Sequence, residues 1–330
     1  MISEVLMRRF LPFILSFSVI LSLFGCSSPP ANEKQQITGV YFDTVVTLTV
    51  WGADDEILAH CEQLCEQYEN LFSRTVKTSD VSRINSSRGT PVTVSDETAE
   101  LIQKSLDYAA CSNGKFDITI GTVNRLWDFQ DNEEKQLPDP ESIEEALSHV
   151  NYQNVKVTGN TVTLTDPETQ IDLGGIAKGY IADQLKEYLK SAGIEHALIN
   201  LGGNILALGG HYDGTPFEIG IQKPFDETGT ALTYLEVTDR SVVSSGNYVR
   251  YFEKDGKIYH HILDPDTGYP CENNLLQVTI LSDSSIDGDA LSTACYNLGL
   301  EKGMELIQSL DNVEAIFVTD DYQLHYSNDI

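Results

Sequence analysis

Positive charge is scarce in this chain. Against 50 Asp and Glu it carries only 21 Lys and Arg over 330 residues, a formal net charge of −29. Such a surface repels nucleic acid and anionic lipid headgroups, which excludes nucleic acid as a partner, and an anionic substrate needs a local cation. Cysteine is also sparse. Six occur, without paired CxxC or Cys/His spacing, which argues against a full disulfide framework and against a zinc site. Residues 37–330 show no fixed-period repeat and no low-complexity linker. The glycine-rich turn at residues 172–179 fits neither the dinucleotide GxGxxG pattern nor the P-loop. Long apolar runs are missing but for one, Phe10–Phe24, and it is short for a membrane span.

That run follows Arg8 and Arg9 and ends in Gly25 and Cys26, the layout of a secretory signal. Leu23-Phe24-Gly25-Cys26 resembles a bacterial lipobox. The resemblance implies removal of residues 1–25, lipidation of Cys26 by acyl chains such as palmitate, and a lipoprotein anchored on the extracytoplasmic side of the bacterial cell membrane. Residues 26–36, with Pro29 and Pro30, read as the lipidated Cys and a polar tether. Residues 1–25 hold Arg8, Arg9 and Glu4, so the remainder carries −30 and the lipid, not a basic patch, is what would hold it at a membrane. Of the other cysteines, Cys61 and Cys65 lie one helical turn apart in "HCEQLCEQYENLF" and read as packing residues.

Residues 37–330 alternate strand-like and helix-like segments. "YFDTVVTLTVWG" has the β-branched alternation of a strand, and Ile57, Leu58, Cys61, Leu64, Cys65, Tyr68 and Leu71 have helical spacing. Ser95 caps a helix that Asn113-Gly114 stops. "VKVTGNTVTLT" reads as a hairpin turning at Gly159-Asn160. "QIDLGGIAKGYIADQLKEYLKSAGI" runs from a strand end through a Gly-rich turn into a helix, and two strands meet about Gly202-Gly203. Strands follow at Phe217–Gln222, Leu232–Thr238, Lys257–Leu263 and Leu275–Leu281, then two helices and a terminal hairpin. This pattern indicates a single α+β domain of mixed or antiparallel sheets with packed helices.

Three segments carry chemistry. In "DLGGIAKG" a Gly-rich turn opens a helix, either as a structural turn or as an anion cradle of unpaired N–H groups. Lys178 sits in the first helical turn, where the dipole disfavours a cation, so a nearby negative group should compensate it. In "KIYHHILDPDTGYP" alternation puts His261 on one strand face and His260 on the other, with the strand breaking at Asp264-Pro265. In "IDGDALSTACYNLG" a helix starting near Gly288 aligns Asp289 with Thr293 close to its positive end. Those oxygens suit a hard cation or a helix cap.

Taken together, "YFDTVVTLTVWG", "SDVSRIN", "GKFDITIGTVNRLWDF", "IDLGGIAKGYIADQL", "ALINLGGNILALG", "HHILDPDTGYP" and "DGDALSTACYNLG" make the chain resemble the ApbE family of FAD:protein FMN transferases. The resemblance implies an ApbE-like domain over 37–330 that binds FAD as substrate, with Mg²⁺ bridging its pyrophosphate. It implies a metal site of Asp289, Thr293, nearby Ser292 and the Gly175 carbonyl. It places nucleotide contacts at Lys115, Phe116, Asp117, Asp172, Lys178, His261 and Ile262. Where the family often has Met-Gly-Thr, this chain has Phe42-Asp43-Thr44, which puts Phe42 at the nucleotide pocket, and Thr75 stands where an aromatic is common.

The implied reaction is attack by a Ser or Thr hydroxyl of an exported acceptor protein, such as a redox-complex subunit, on the FMN-side phosphorus, with AMP leaving. His261 is then the candidate general base, and Asp289 the catalytic metal ligand. Two other readings stand beside it: a Mg²⁺-dependent FAD pyrophosphatase giving FMN and AMP, and a flavin-binding lipoprotein without catalysis.

Overall fold

β-Branched residues dominate the first strands, and the chain begins by building a sheet. The computed structural model describes residues 32–127, 129, 136–226 and 228–328. The signal segment and Cys26 lie outside the described residues. Strand β1 (Lys34–Tyr41) turns at Phe42-Asp43 into β2 (Thr44–Trp51). The tether expected up to residue 36 is therefore shorter, because Lys34, Gln35 and Gln36 already pair with Trp51, Val50 and Thr49. Their polarity hid the strand: β1 is an edge strand, and an edge tolerates polar side chains that a central strand would not.

Helix α1 (Asp55–Phe72) follows, its first turn closed by the Asp54 side chain, and then α2 (Asp80–Asn85) and the short β3 (Val92–Thr93). Ser95 caps α3 (Asp96–Cys111) as its sequence indicates, by accepting from Thr98 N. Helices α4 (Gly121–Trp127) and α5 (Pro140–Leu147) lead to the hairpin of β4 (Val155–Thr158) and β5 (Thr161–Leu164). Helix α6 (Ala177–Ser191) precedes β6 (Ala197–Leu201) and β7 (Asn204–Leu208). Strands β8 (Phe217–Gln222), β9 (Ala231–Val237), β10 (Ser241–Gly246), β11 (Tyr251–Lys254), β12 (Lys257–His260) and β13 (Leu275–Ser282) complete the middle. Helix α7 (Ser285–Gln308) breaks at Gly299, where φ is +77°, so it is the two helical pieces that the sequence separates. The hairpin of β14 (Val313–Thr319) and β15 (Leu324–Tyr326) ends the described chain.

Eight strands form one antiparallel sheet in the order β1-β2-β6-β7-β10-β13-β14-β15. The α+β expectation holds, and every strand pairing among the described residues is antiparallel. One face packs Leu48, Ile199, Leu201 and Leu206 against α1, α6 and the start of α7 through Cys61, Cys65, Ile181, Leu185 and Ala290. The other face carries Ala207, Val242, Leu281 and Ile316, covered by Phe217, Ile219 and Leu235 of the β8–β9 hairpin. Covered on both faces, β13 and β14 are buried at nearly every position, the polar Gln277 and Thr279 included. Cys61 and Cys65 are the packing residues their spacing suggests. Burial pushes both thiols up to about 12, so neither is a nucleophile at neutral pH.

Candidate functional site

Helices α6 and α7 meet at their N-terminal ends, and neither has a side-chain cap from its own N-cap residue. Each is capped by the other. Asp183, in the second turn of α6, accepts from Ser285 N at 2.8 Å, Ile286 N at 2.9 Å and Ser284 Oγ at 2.8 Å. Asp289, in the second turn of α7, accepts from Gly179 N at 2.9 Å. Such caps are each worth about 1 kcal/mol, and here they also fix the two helix ends relative to each other. The contact needs Gly179, because a Cβ there would sit 2.3 Å from Ser285 O. Asp183 was not singled out from sequence, since nothing local to α6 shows that its partner is a helix a hundred residues away.

The acids that crowd the start of α7 thus divide their tasks. Asp283 is exposed and lies 3.9 Å from Arg240. Asp287 accepts from the Tyr108 hydroxyl, and burial with this carboxylate raises the Tyr108 pKa. Only Asp289 reaches the cleft that opens beside the helix junction.

That cleft has a volume of about 440 Å³. Its walls come from the β1–β2 turn, the end of α1, the segment before α4, the Gly-rich turn, β10, the segment after β12 and the first turns of α7. Eleven of the twelve expected nucleotide and metal residues line it: Phe42, Lys115, Phe116, Asp117, Asp172, Gly175, Lys178, His261, Ile262, Asp289 and Thr293. The twelfth, Ser292, is fully buried behind the wall, with its hydroxyl on Asp289 O at 3.0 Å. Residues from five distant stretches converge on this cleft.

Lys178 Nζ bridges the Gly174 carbonyl at 3.3 Å and the Asp289 carboxylate at 3.2 and 3.4 Å. Asp289 is the negative group that a cation in the first helical turn requires, and ammonium and helix end together offset the desolvation of a carboxylate that is 4% exposed. The cradle of free amides is only partly realised. Gly174 N donates to Asp172 Oδ1, Ile176 N and Ala177 N both donate to Leu173 O, and Gly179 N is taken by Asp289. Positive charge at the turn is therefore carried mainly by Lys178.

Several other residues expected at the nucleotide also brace the protein itself. Both oxygens of Asp117 hold backbone: Oδ1 accepts from Thr119 N and Oγ1, and Oδ2 from Tyr152 N at 2.8 Å. Burial raises its pKa against those bonds. Asp172 holds Gly174 N, Asn124 Nδ2 at 2.8 Å and Arg74 Nε at 3.4 Å. Lys115 is paired with Asp264 at 2.7 Å and Asp266 at 2.8 Å. Phe42 lines the mouth from a left-handed backbone, φ +55°, with its N–H on Glu69 Oε1 at 3.0 Å. A bulky side chain is strained there, and Glu69 helps to hold it.

His261 lies just past β12, which ends at His260 and not at Leu263, because the backbone turns into the Asp264-Pro265 break. Burial, then the charges of Arg250 and His260, depress the His261 imidazole to about 3. Its Nδ1 is buried without a hydrogen-bond partner, as are Asn204 Nδ2 and Asn297 Oδ1, which also belong to residues of the cleft wall. The Asn297 amide nitrogen donates to Lys115 O and Leu263 O, which fixes its oxygen as an acceptor. Unpaired donors and acceptors in a wall are what a ligand rich in polar edges would satisfy. Sequence reading missed Glu69, Arg74 and Ser245, which no local motif marks, and it passed over Asn204 and Asn297 inside two of the runs it singled out, since neither spacing nor charge sets an Asn there apart.

Among the described residues no group of three or more His, Cys, Asp and Glu could hold a metal ion. The donors that do converge are one carboxylate, the Thr293 hydroxyl and the Gly175 backbone, close enough that a Cβ on Gly175 would lie 3.8 Å from Thr293 Oγ1. This all-oxygen set with a single carboxylate suits Mg²⁺, which takes few protein groups and completes its shell with water and phosphate.

The model of the ApbE family matches residues 42–317. An FAD:protein FMN transferase of Klebsiella pneumoniae is 38% identical over 291 residues, covering 87% of this chain and 90% of the relative. One of Treponema pallidum is 34% identical over 280 residues, covering 80% and 77%. Among solved structures, the ApbE protein of Thermotoga maritima superimposes with a TM-score of 0.81 at 30% identity, over 89% of this chain and 96% of that one. The flavin transferase ApbE of Vibrio cholerae gives 0.79 at 27% identity, over 89% and 97%.

Proposed function

Because the chain belongs to the ApbE family, we propose that its cleft holds FAD and passes the FMN moiety to a Ser or Thr hydroxyl of an acceptor protein, releasing AMP. It is a transferase, as its relatives are named. The observation that carries this reading is the convergence of Lys178, Asp289, Thr293 and Gly175 on one wall of a cleft in a chain of net charge −29. Four residues concentrate there the means to hold a pyrophosphate that the overall field would repel.

Mg²⁺ fits the donor set, with Asp289, Thr293 and the Gly175 carbonyl as the groups that would hold it. Once bound, it would neutralise pyrophosphate oxygens and favour departure of AMP. Lys178, anchored by Gly174 O and Asp289, is placed to share that charge, and Asp172 keeps the glycine turn in shape. Transfer of this kind depends on positioning and charge neutralisation.

The acceptors that fit are exported redox proteins with a flavinylation motif. Retention of the enzyme beside them by a lipid on Cys26 suits its N-terminal sequence. No helix among the described residues is long and apolar enough to cross a membrane.

The deciding experiment is mass spectrometry of the protein with FAD, Mg²⁺ and an acceptor domain carrying a Ser/Thr flavinylation motif. The expected result is an FMN adduct on the acceptor with AMP released only in its presence. Equal release of FMN and AMP without acceptor would instead identify a pyrophosphatase.

His261 is neutral throughout the working range, because its depressed pKa leaves the charged form populated only below about pH 3. A base that weak gains little from titration. The transfer rate is therefore expected to show no inflexion from His261 between about pH 5 and pH 8, and His261→Asn should lower the rate without reshaping the profile. An inflexion near pH 6.5 that disappears in His261→Asn would show instead that the imidazole titrates in its ordinary range.

A further inference from the structure

We propose that Ser245, on β10, is a positioning residue that turns the Thr293 hydroxyl so that its oxygen, and not its proton, is offered to the cleft. The inference rests on the reading of Thr293 as a ligand to a divalent cation.

Three hydroxyl protons set the direction of this hydrogen-bond chain. Ser292 Oγ lies 3.0 Å from the Asp289 carbonyl, and a carbonyl only accepts, so the single Ser292 proton is spent there. Ser245 Oγ is 2.8 Å from Ser292 Oγ. Having no proton left, Ser292 accepts in that contact and Ser245 donates. Ser245 Oγ is also 3.3 Å from Thr293 Oγ1. With its own proton committed, Ser245 can only accept, and Thr293 donates.

The chain therefore runs in one direction, from Thr293 to Ser245 to Ser292 to the Asp289 carbonyl. Ser292 is fully buried, so water does not compete at the far end. Helical Thr commonly turns its hydroxyl back to the carbonyl four residues earlier, which here is Asp289. That carbonyl already receives Ser292, and Ser245 supplies the alternative. Thr293 thus keeps its lone pairs for the cleft that it lines, as a neutral oxygen ligand must. The same chain ends on the backbone of Asp289, so it ties the second proposed ligand to the first.

The test counts bound Mn²⁺ by the electron paramagnetic resonance of the free ion, a readout that needs no turnover. Relative to the unsubstituted protein, Ser245→Ala is expected to bind Mn²⁺ about tenfold more weakly, the low end of what the loss of an outer partner of a metal ligand costs. Ser245→Thr, which keeps the hydroxyl at a strand position that accepts β-branching, is expected to recover most of that affinity. Unchanged Mn²⁺ affinity in Ser245→Ala would overturn the proposal. A Thr variant as weak as the Ala variant would overturn it too, because the effect would then come from packing. Absence of Mn²⁺ binding by the unsubstituted protein would remove the metal reading and this proposal together, whereas failure of FMN transfer alone would not move the Mn²⁺ measurement.

Discussion

Asp289→Asn is expected to leave the protein folded and to lower FMN transfer by about a thousandfold, which is ~4 kcal/mol of transition-state stabilisation. The substitution separates two tasks that one carboxylate performs. As a cap, Asp289 accepts from Gly179 N, and an amide oxygen can do the same. As a charge, it faces Lys178 and would bind the cation, and an amide can do neither well. Asp289→Ala is the less informative variant: it also removes the cap, at about 1 kcal/mol, and leaves the Lys178 ammonium without its carboxylate. The check is denaturant unfolding of both variants beside mass spectrometry of the acceptor. An Asn variant that transfers FMN at the unsubstituted rate would remove Asp289 from the metal site, whatever its stability.

This dual use explains which parts of the site could be read from the sequence. Asp289 and Thr293 were legible because helical spacing brings residues four apart onto one face, and Lys178 because a cation at a helix start calls for a counter-charge. Their partners were not. Asp183 and Asp289 cap helices about a hundred residues away, and only the packing of α6 on α7 makes each an N-cap. Asp117 and Asp172 line the cleft, yet their carboxylates are held by backbone and side chains of the protein itself, which no spacing rule reveals. Strands β1 and β10 were missed: the half-buried positions of β1, Gln35, Ile37, Gly39 and Tyr41, mix polar and apolar residues, and β10 carries only Val242 and Val243 among serines and a glycine, whereas the other strands of the main sheet stood out from apolar content and turn residues. Local physics sets the elements, and the site depends on where two helix ends meet.

The closeness of that meeting is itself testable. Gly179→Ala is expected to destabilise the protein by about 2 kcal/mol and to lower FMN transfer roughly a hundredfold. In an exposed helix the same change would stabilise by up to about 1 kcal/mol, because Ala forms helix better than Gly. Here the sign reverses. The added Cβ would lie 2.3 Å from Ser285 O and 2.7 Å from Ile286 Cα, and both are backbone atoms that no rotamer change can move away. The first turn of α7 must then shift, carrying Asp289 and Thr293 with it and stretching the Asp183 bonds to Ser285 N and Ile286 N. Gly193→Ala is the matched control. Gly193 has a φ of +81° but open space around its missing Cβ, so its substitution should cost about 1 kcal/mol of backbone strain and leave transfer intact. Chemical denaturation and transfer rates on the two variants distinguish the causes: loss of stability in both with loss of transfer only in Gly179→Ala assigns catalysis to the α6–α7 contact. Equal activity in both would mean that α7 can move by the width of a methyl group without disturbing the cleft, and that the site tolerates more slack than its mutual caps imply.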